Sequence, residues 1–256
     1  KSAKLRATGC AVYANSTEPQ AIRLDKGSEM EASLVCAVGG VKAKTTAISP
    51  APTTDCPVLS DPLSARVAPE IGVCDATNLE IKSGTVELKA GRYCGGLKIT
   101  GDAHVTFELG EYVISDGILE VSGKATVAGE NVAFYLHGEK ALLNFTGDST
   151  ISLTGAASGT MAGLLFFEDR SSSVGRTHRI NSANAHTLTG TIYFPNGNLR
   201  IDPNASVAQN SAYTAIIANK VEINEGPTLV LNDDYGETNV PVPEGIRTSS
   251  QVVLVQ

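Results

Sequence analysis

The chain has 256 residues, no tryptophan, and 25 glycines that separate many short apolar runs, a composition typical of all-β proteins with frequent tight turns. Its formal net charge of −7 argues against nucleic acid as a partner, because phosphates require a basic patch, and it equally disfavours an anionic membrane surface. No apolar run approaches the roughly 20 residues that a membrane-spanning helix needs.

Residues 1–40 are predicted to form a first pair of β coils. Residues 21–35 can be aligned with residues 96–109, and a cysteine stands before an Ala-Val pair at both Cys10 and Cys36. Neighbouring strands lie about 4.8 Å apart, a distance that a disulfide can bridge. This alignment therefore predicts a Cys10–Cys36 disulfide between the two coils.

Residues 41–75 interrupt the coil pattern with five of the chain's 11 prolines. Proline cannot donate to a sheet ladder, so this segment is predicted to be a long excursion over the surface, with a turn at Asp61-Pro62. The alternative is a linker between two domains. That reading is disfavoured because the coil pattern continues on both sides.

Residues 76–232 are predicted to form the main coils, since one short phrase recurs as LKITGDAHV, LEVSGKATV and LNFTGDSTI. The glycines of these phrases, Gly101, Gly123 and Gly147, are separated by 22 and then 24 residues. A repeat of that length, made of short alternating runs, is typical of stacked β coils.

Stacking the repeats generates three inward rows of side chains. The first row contains Val105, Val127, Ile151, Thr187, Val207 and Leu229. The second contains Leu97, Leu119, Leu143, Leu199 and Val221, and the turn near Ile180 fits it poorly. The third comes from strands such as YVIS at position 112. Three rows around a closed coil predict a right-handed parallel β-helix, and a jelly roll or β-sandwich is the alternative.

The last segment, residues 233–256, loses the repeat and ends in the apolar run QVVLVQ. An exposed final coil would template aggregation, so this segment is predicted to cap the solenoid. The coils, the excursion and the cap are expected to form a single domain over residues 1–256.

All five cysteines lie in the first 94 residues. There is no C-x-x-C pair and no histidine at zinc-finger spacing, which argues against a structural zinc site. The clustering favours one or two disulfides in an oxidising compartment, and five buried thiols are the alternative. We expect Cys10–Cys36 and Cys74–Cys94, which leaves Cys56 over.

Two insertions interrupt the repeat, at residues 154–163 and 169–178. Insertions in a solenoid map to surface loops, where binding residues concentrate, so these loops and the proline-rich excursion are the predicted places for function. A solvated loop is the alternative for the second insertion. Its candidate partner-contact residues are Glu168, Asp169, Arg170, Arg176 and His178.

The sequence carries no evident catalytic or metal-binding constellation. The acidic pairs Glu168-Asp169 and Asp233-Asp234 are sequence neighbours that point to opposite faces of a strand, so neither forms the carboxylate dyad of glycoside hydrolysis. Calcium-binding repeats of the GGxGxD kind are absent. We therefore expect no enzyme, metal or cofactor. A β-helix polysaccharide lyase or glycoside hydrolase, or a cell-surface glycan-binding module, is the alternative.

Six segments occur in a recognisable order: YCGGLKI at 93, FYLHG at 134, AGLLFFEDR at 162, GTIYFPNGNL at 190, AYTAIIA at 212 and GPTLVLNDDYGETNVPVPEGI at 226. Together they resemble the extracytoplasmic β-rich region of TadG-like proteins from alphaproteobacterial Flp/Tad pilus-assembly systems. The resemblance covers roughly residues 10–246.

This resemblance implies a role in assembling, anchoring or decorating an adhesive pilus, with pilus-assembly or envelope proteins and a surface ligand as partners. It also implies a periplasmic or cell-surface location, and an anchor in the membrane through a helix upstream of Lys1. The resemblance brings no catalytic residues with it.

Overall fold

The computed structural model describes residues 2–25, 27–203 and 205–246. Within these ranges the protein is almost entirely β structure, a parallel β-solenoid of about 10 turns with a single 3-10 turn at Tyr235–Glu237. The predicted all-β solenoid is confirmed, and its right-handedness stays a prediction.

The strands are β1 (Lys4–Ala14), β2 (Ile22–Arg23), β3 (Glu29–Ala37), β4 (Val41–Lys42), β5 (Ile48–Ser49), β6 (Ala76–Ile81), β7 (Thr85–Leu88), β8 (Gly91–Ile99), β9 (His104–Phe107), β10 (Gly110–Ser115), β11 (Leu119–Val121), β12 (Thr126–Gly129), β13 (Val132–His137), β14 (Leu143–Thr154), β15 (Leu164–Glu168), β16 (Thr177–Ile201), β17 (Ser206–Val207), β18 (Thr214–Ile223) and β19 (Thr228–Val230).

Each turn has three sides. Side A comprises the segments stacked on β11, side B those stacked on β12, and side C those stacked on β10. All of these pairings are parallel, and equivalent residues of successive turns align. The predicted inward rows are confirmed for Leu97, Leu119 and Leu143 on side A and for Val105, Val127 and Ile151 on side B.

The predicted side B row is wrong at one turn. Thr187 pairs with Ser152 instead of with Ile151, because the register between β14 and β16 shifts twice just before this pair. The side chains buried at that turn are Ala185 and Leu188.

The corner between sides A and B requires glycine. Gly101, Gly123 and Gly147 have φ angles of 65°, 72° and 73°, in the left-handed region that side chains disfavour. A Cβ on Gly101 would lie 2.3 Å from the carbonyl oxygen of Lys82 in the adjacent turn. The recurring glycine therefore lets consecutive turns approach to the spacing of a β-sheet.

The turns do not stack in chain order. β1 pairs with β19 on one edge and with β3 on the other, so the first turns of the chain continue the stack beyond residue 230. β5 and Thr53 extend it further. The structure therefore places residues 4–53 after the main coils, and the excursion begins near residue 57 instead of at the predicted residue 41.

Residues 57–75, which we call the flank segment, run back along side C from the N-terminal turns to the first main turn. The segment contacts Asn15 through Leu59, Tyr193 through Asp61, and Arg92 through Gly72. Nineteen extended residues reach about 60 Å, which is ample for this return path.

Residues 231–246, which we call the tail, lie along the same side and do not cover an end of the stack. The hydroxyl of Tyr213 donates to the carbonyl of Pro241 at 2.7 Å, and a Cβ on Gly163 would lie 2.7 Å from Pro243. Ile246 packs against the apolar cluster that includes Leu63 of the flank segment. The predicted cap is thus a second flanking strip in its described part, and residues 247–256 lie outside the described residues.

Side C is apolar on both faces. Its inner face carries a ladder of stacked rings, with Tyr112 and Phe134 at 5.2 Å and Phe134 and Phe166 at 5.5 Å between ring centroids. Its outer face carries Tyr135, Phe167 and Tyr193, which the flank segment and the tail cover. Strands buried on both faces read as unbroken apolar runs, which explains FYLH and LLFF.

Two disulfides staple the chain. Cys74–Cys94 is present as predicted, with Cα atoms 5.8 Å apart. The expected Cys10–Cys36 bridge is wrong, because Cys36 is bonded to Cys56, 6.1 Å away between Cα atoms. The reason is the position of Thr53, which bridges to Cys36 and brings the next three residues beside it. Cys10 is the free thiol, near the carbonyl of Leu231.

Candidate partner-binding flank

A polar cluster replaces the apolar rows at one turn of the solenoid. The register of β14 with β16 places His178 beside Leu143, in the inward leucine row of side A. The register of β13 with β15 places Glu168 beside Leu136, in the inward row of side C. Both side chains are completely buried. With Arg176 they form what we call the lumen cluster.

The hydrogen bonds of the lumen cluster define its charge state. Leu143 donates its amide to Nδ1 of His178 at 3.2 Å, so the proton of the imidazole is on Nε2, which lies 3.0 Å from Oε1 of Glu168. Arg176 donates to the same carboxylate oxygen at 2.7 Å. The arrangement is a neutral histidine and a guanidinium sharing one carboxylate, which is the pairing that a buried charge requires.

The pKa shifts agree with this assignment. Burial lowers the pKa of His178, and its hydrogen bond to Glu168 opposes that effect without overcoming it. Burial alone would raise the pKa of Glu168, but the hydrogen bonds and charges of His178 and Arg176 outweigh it and leave that pKa below its usual value. Glu168 therefore stays ionised, and His178 stays neutral near pH 7.

Neighbouring backbone completes the cluster. The amide of Asn196 donates to Oε2 of Glu168 at 3.2 Å, and the ring of His178 stacks on Phe194 with 3.9 Å between centroids. A Cβ on Gly197 would lie 2.6 Å from Nε2 of His178, so only glycine leaves room there. With Glu168 and His178 fully buried and every charge paired, the arrangement is that of a structural ion pair.

Arg170 fastens the flank segment to the solenoid. Its guanidinium donates to the carbonyl of Arg66 at 2.7 Å and also to that of Leu63, while Nε lies 3.0 Å from the Tyr193 hydroxyl. The charge sits 4.9 Å from the ring centroid of Phe167. Burial raises the pKa of Tyr193 to about 12, with a further contribution from its hydrogen bond to Asp61.

The five predicted contact residues therefore point mainly inward. Glu168 and His178 are buried, Arg176 binds the carbonyl of Glu139 at 2.7 Å, and Arg170 binds the flank segment. Asp169 accepts hydrogen bonds from the amide and hydroxyl of Ser171 at 2.9 and 2.8 Å. These hydrogen bonds hold the loop in place, and Asp169, Arg170 and Arg176 are partly exposed. That the loop contacts a partner stays a prediction.

The flank segment carries most of the large apolar side chains that are exposed in the described chain. Of the nine large apolar side chains that are exposed in the described chain, five lie within its 19 residues, although none of them belonged to the predicted contact set. They are Val58, Leu59, Val67, Ile71 and Val73, which we call the apolar stripe. Concentrations of exposed apolar side chains mark contact sites more often than scattered ones do.

Two shallow depressions lie on the surface, one beside the flank segment and one beside the tail. One, of about 320 Å³, is lined by Val73 and Arg92, and the other, of about 290 Å³, by Leu109 and Ser158. Glu111 lines both. Val73 and Leu109 are 83% and 76% exposed, so each depression has an apolar rim suited to a protruding side chain of a partner.

No group of three or more potential metal ligands comes together in residues 2–25, 27–203 and 205–246. The pair Glu168-Asp169 is split, with the first carboxylate in the lumen and the second against Ser171. Among these same residues no helix is long and apolar enough to cross a membrane.

Residues 57–236 match a family described as a domain of unknown function, DUF7305. This match covers the flank segment and all of the main coils. The chain belongs to the DUF7305 family. No curated protein and no solved structure matches the chain. Since the DUF7305 match begins at residue 57, the flank segment is part of the family's domain together with the coils that it covers.

Proposed function

We propose that this DUF7305 domain is a non-enzymatic interaction domain that binds a partner protein through the apolar stripe. The observation that carries the proposal is the concentration of exposed apolar side chains on the flank segment, such as Val67 at 72% and Val73 at 83% exposure. A rigid backing supports them, because the aromatic side C fixes the segment in place. Rigid presentation reduces the entropy lost on binding.

The biological setting that we propose is the bacterial envelope, in a Tad (Flp) pilus system. The support is the resemblance of six ordered segments to TadG-like proteins. Two disulfides, Cys36–Cys56 and Cys74–Cys94, fit an oxidising, extracytoplasmic compartment. The partners would be other pilus-assembly or envelope proteins, and membrane attachment would come through a segment outside this chain.

The test is deletion of the gene followed by complementation with variants. The wild-type gene should restore pilus number and surface attachment, whereas a triple variant Val67→Asp, Ile71→Asp, Val73→Asp should not. Burying each of these three apolar side chains in an interface contributes about 1.5–3 kcal/mol to the binding free energy, so replacing all three should abolish binding. Normal piliation in the deletion strain would refute the pilus role.

Val174→Asp is the matched control, since Val174 is 69% exposed on the neighbouring loop but outside the apolar stripe. It should complement like the wild type. Circular dichroism of both purified variants checks that the solenoid is intact. If the triple variant complements fully while the deletion strain lacks pili, the pilus role survives and the stripe is not the contact surface.

A further inference from the structure

The depression of about 320 Å³ beside the flank segment is rich in carboxylates. Glu70 and Asp75 of the flank segment and Glu111 of β10 line it together with Arg92, and we call it the acidic depression. Val73 forms part of the same lining. The acidic depression therefore continues the apolar stripe at its last residue.

Hydrogen bonds position these carboxylates but do not neutralise them. Asp75 accepts a hydrogen bond from the amide of Arg92, and Glu111 accepts one from the amide of Met161, each at 2.8 Å. Glu70 is exposed. None of the three carboxylates forms an ion pair within the described part of the chain. Because a backbone amide is uncharged, each carboxylate keeps its negative charge.

Arg92 does not balance the three carboxylates. Its guanidinium donates to the hydroxyl of Ser115 at 2.9 Å and to the carbonyl of Gly72 at 2.8 Å, and these bonds hold it against side C. Three carboxylates and one guanidinium leave the acidic depression with a formal charge of −2. A concave surface of one charge sign concentrates ions of the opposite sign, so this depression attracts cations.

The flank segment itself supplies no cation for the acidic depression. There is no lysine between Lys44 and Lys82. Arg66, the basic residue of the flank segment, donates to the carbonyls of Thr160 and Ala162 at 3.0 and 2.7 Å. The net charge of −7 has the same sign as the depression, so the chain as a whole favours a basic partner.

The arrangement of the carboxylates favours an organic cation over a metal ion. They belong to no group of three or more potential metal ligands in the described ranges, so they do not surround a single ion. The guanidinium of arginine carries five donors in a planar fork and can reach separate acceptors. Val73, 83% exposed at the rim, offers an apolar surface to the methylene groups of such a side chain.

We propose that the partner inserts an arginine into the acidic depression while neighbouring apolar side chains of the same segment pack on Val67 and Ile71. This inference rests on the proposed function, because it names the chemistry of the segment that the apolar stripe binds. Charge complementarity at one end of the stripe fixes the register of that segment. A segment with an acidic residue at the same position is repelled.

The test uses three fluorescein-labelled peptides of sequence SLVXVLS, in which X is arginine, glutamine or glutamate. Fluorescence anisotropy should show saturable binding of the arginine peptide to the full chain. The glutamine peptide should bind at least ten-fold more weakly, because it shares the apolar contacts but lacks the charged ones, and the glutamate peptide should bind most weakly. Raising the salt concentration from about 0.05 M to about 0.5 M should weaken binding of the arginine peptide but not of the glutamine peptide.

Glu70→Lys should abolish this preference, because it changes the formal charge of the acidic depression from −2 to zero. Glu87→Lys is the matched control, since it changes the net charge equally but lies exposed on side B. It should retain the ten-fold difference. Circular dichroism of both variants checks that the solenoid is intact. Absence of saturable binding by the arginine peptide, equal binding of the arginine and glutamine peptides, or loss of the difference in the Glu87→Lys protein overturns the proposal.

A further variant separates this inference from the proposed function. Val67→Ser with Ile71→Ser shortens the apolar stripe but leaves the carboxylates in place, and it should weaken all three peptides. If it does so while arginine and glutamine bind the wild type equally, the stripe remains the contact surface and the arginine is refuted. If the arginine peptide binds this variant as tightly as the wild type, the stripe is refuted as the contact surface.

Discussion

At position 178 the solenoid has a histidine in a row of leucines, and at position 168 it has a glutamate where the two preceding turns have leucine and isoleucine. The sequence held one signal of this exchange, the poor fit of the turn near Ile180 to the leucine row. The sequence could not reveal the cluster. A polar residue at an inward position breaks the repeat in the same way as an inserted residue does, and only its buried partner distinguishes the two cases. Glu168 and His178 meet only because their strands belong to one turn.

Replacing one member of the lumen cluster should be strongly destabilising. His178→Leu matches the row in size but leaves Glu168 without one of its two side-chain partners. We expect a loss of about 3 kcal/mol in the free energy of unfolding, measured by urea denaturation. The double variant Glu168→Leu, His178→Leu should cost clearly less than the sum of the two single variants. Strict additivity would show that the two side chains are not energetically coupled.

Stability should fall on acidification in two stages. The pKa of His178 is lowered on folding, so the unfolded chain binds the extra proton first and stability declines below about pH 6.5. The lowered pKa of Glu168 adds a second decline below about pH 4.5. His178→Gln should flatten the first stage alone, as followed by thermal melts between pH 7 and 5.

His104→Gln provides the comparison, because His104 is exposed on side B. It should retain the decline below pH 6.5. An unchanged pH profile in the His178→Gln protein would assign the first stage to another group.

Among the elements, the strands of sides A and B were predictable and the flanking strips were not. Alternation, the glycine corner and the spacing of 22 to 24 residues place the coils, because each follows from the local chain. The strands of side C were predicted only as a third inward row, although their unbroken apolar runs are typical of strands covered on both faces. The sequence does not predict that the flank segment and the tail cover these strands, because proline-rich segments have no periodicity by which to align them with the coils.

Arg170 should control the attachment of the flank segment. Arg170→Ala removes the donors to the carbonyls of Leu63 and Arg66, so the segment should separate from Tyr193 more often. Limited proteolysis should then cut within residues 57–75 several-fold faster than in the wild type. Arg23→Ala, which removes an exposed ion pair with Asp25, should leave the rate unchanged. Equal rates for the two variants would contradict the fastening role.

The disulfide pairing is tested by counting thiols. Unreduced protein in denaturant should contain one free thiol, at Cys10, and peptide mapping should link Cys36 to Cys56. The sequence analysis placed Cys10 and Cys36 in neighbouring coils and Cys56 in the excursion, so it did not predict the Cys36–Cys56 pair. A Cys10–Cys36 peptide would contradict the structure.

For the whole molecule, the order of turns is the largest departure from the sequence prediction. The repeat spacing identifies which residues form a coil but not which coil stacks on it. Because the connection to the main coils is long and extended, residues 4–53 could stack on either end of them. The structure selects the end at β19.

Engineered disulfides distinguish the two orders. In a Cys10→Ser background, Lys4→Cys with Thr228→Cys should oxidise readily, because these residues are paired in the ladder and strand spacing suits a disulfide. Lys4→Cys with Thr85→Cys, the pair expected from stacking on the first main turn, should stay reduced. Mass spectrometry after denaturation reads both results. The opposite outcome would place the N-terminal turns at the other end.

The pairing of β1 with β19 also has a consequence for synthesis. The two strands are more than 200 residues apart, so the turns of residues 4–53 lack this neighbour until residues 228–230 emerge from the ribosome. The main coils, whose contacts are local, can zip together one after another in the meantime. The turns of residues 4–53 are thus made before the main coils but docked after them, and the edge of β1 that faces β19 stays open until β19 has been made.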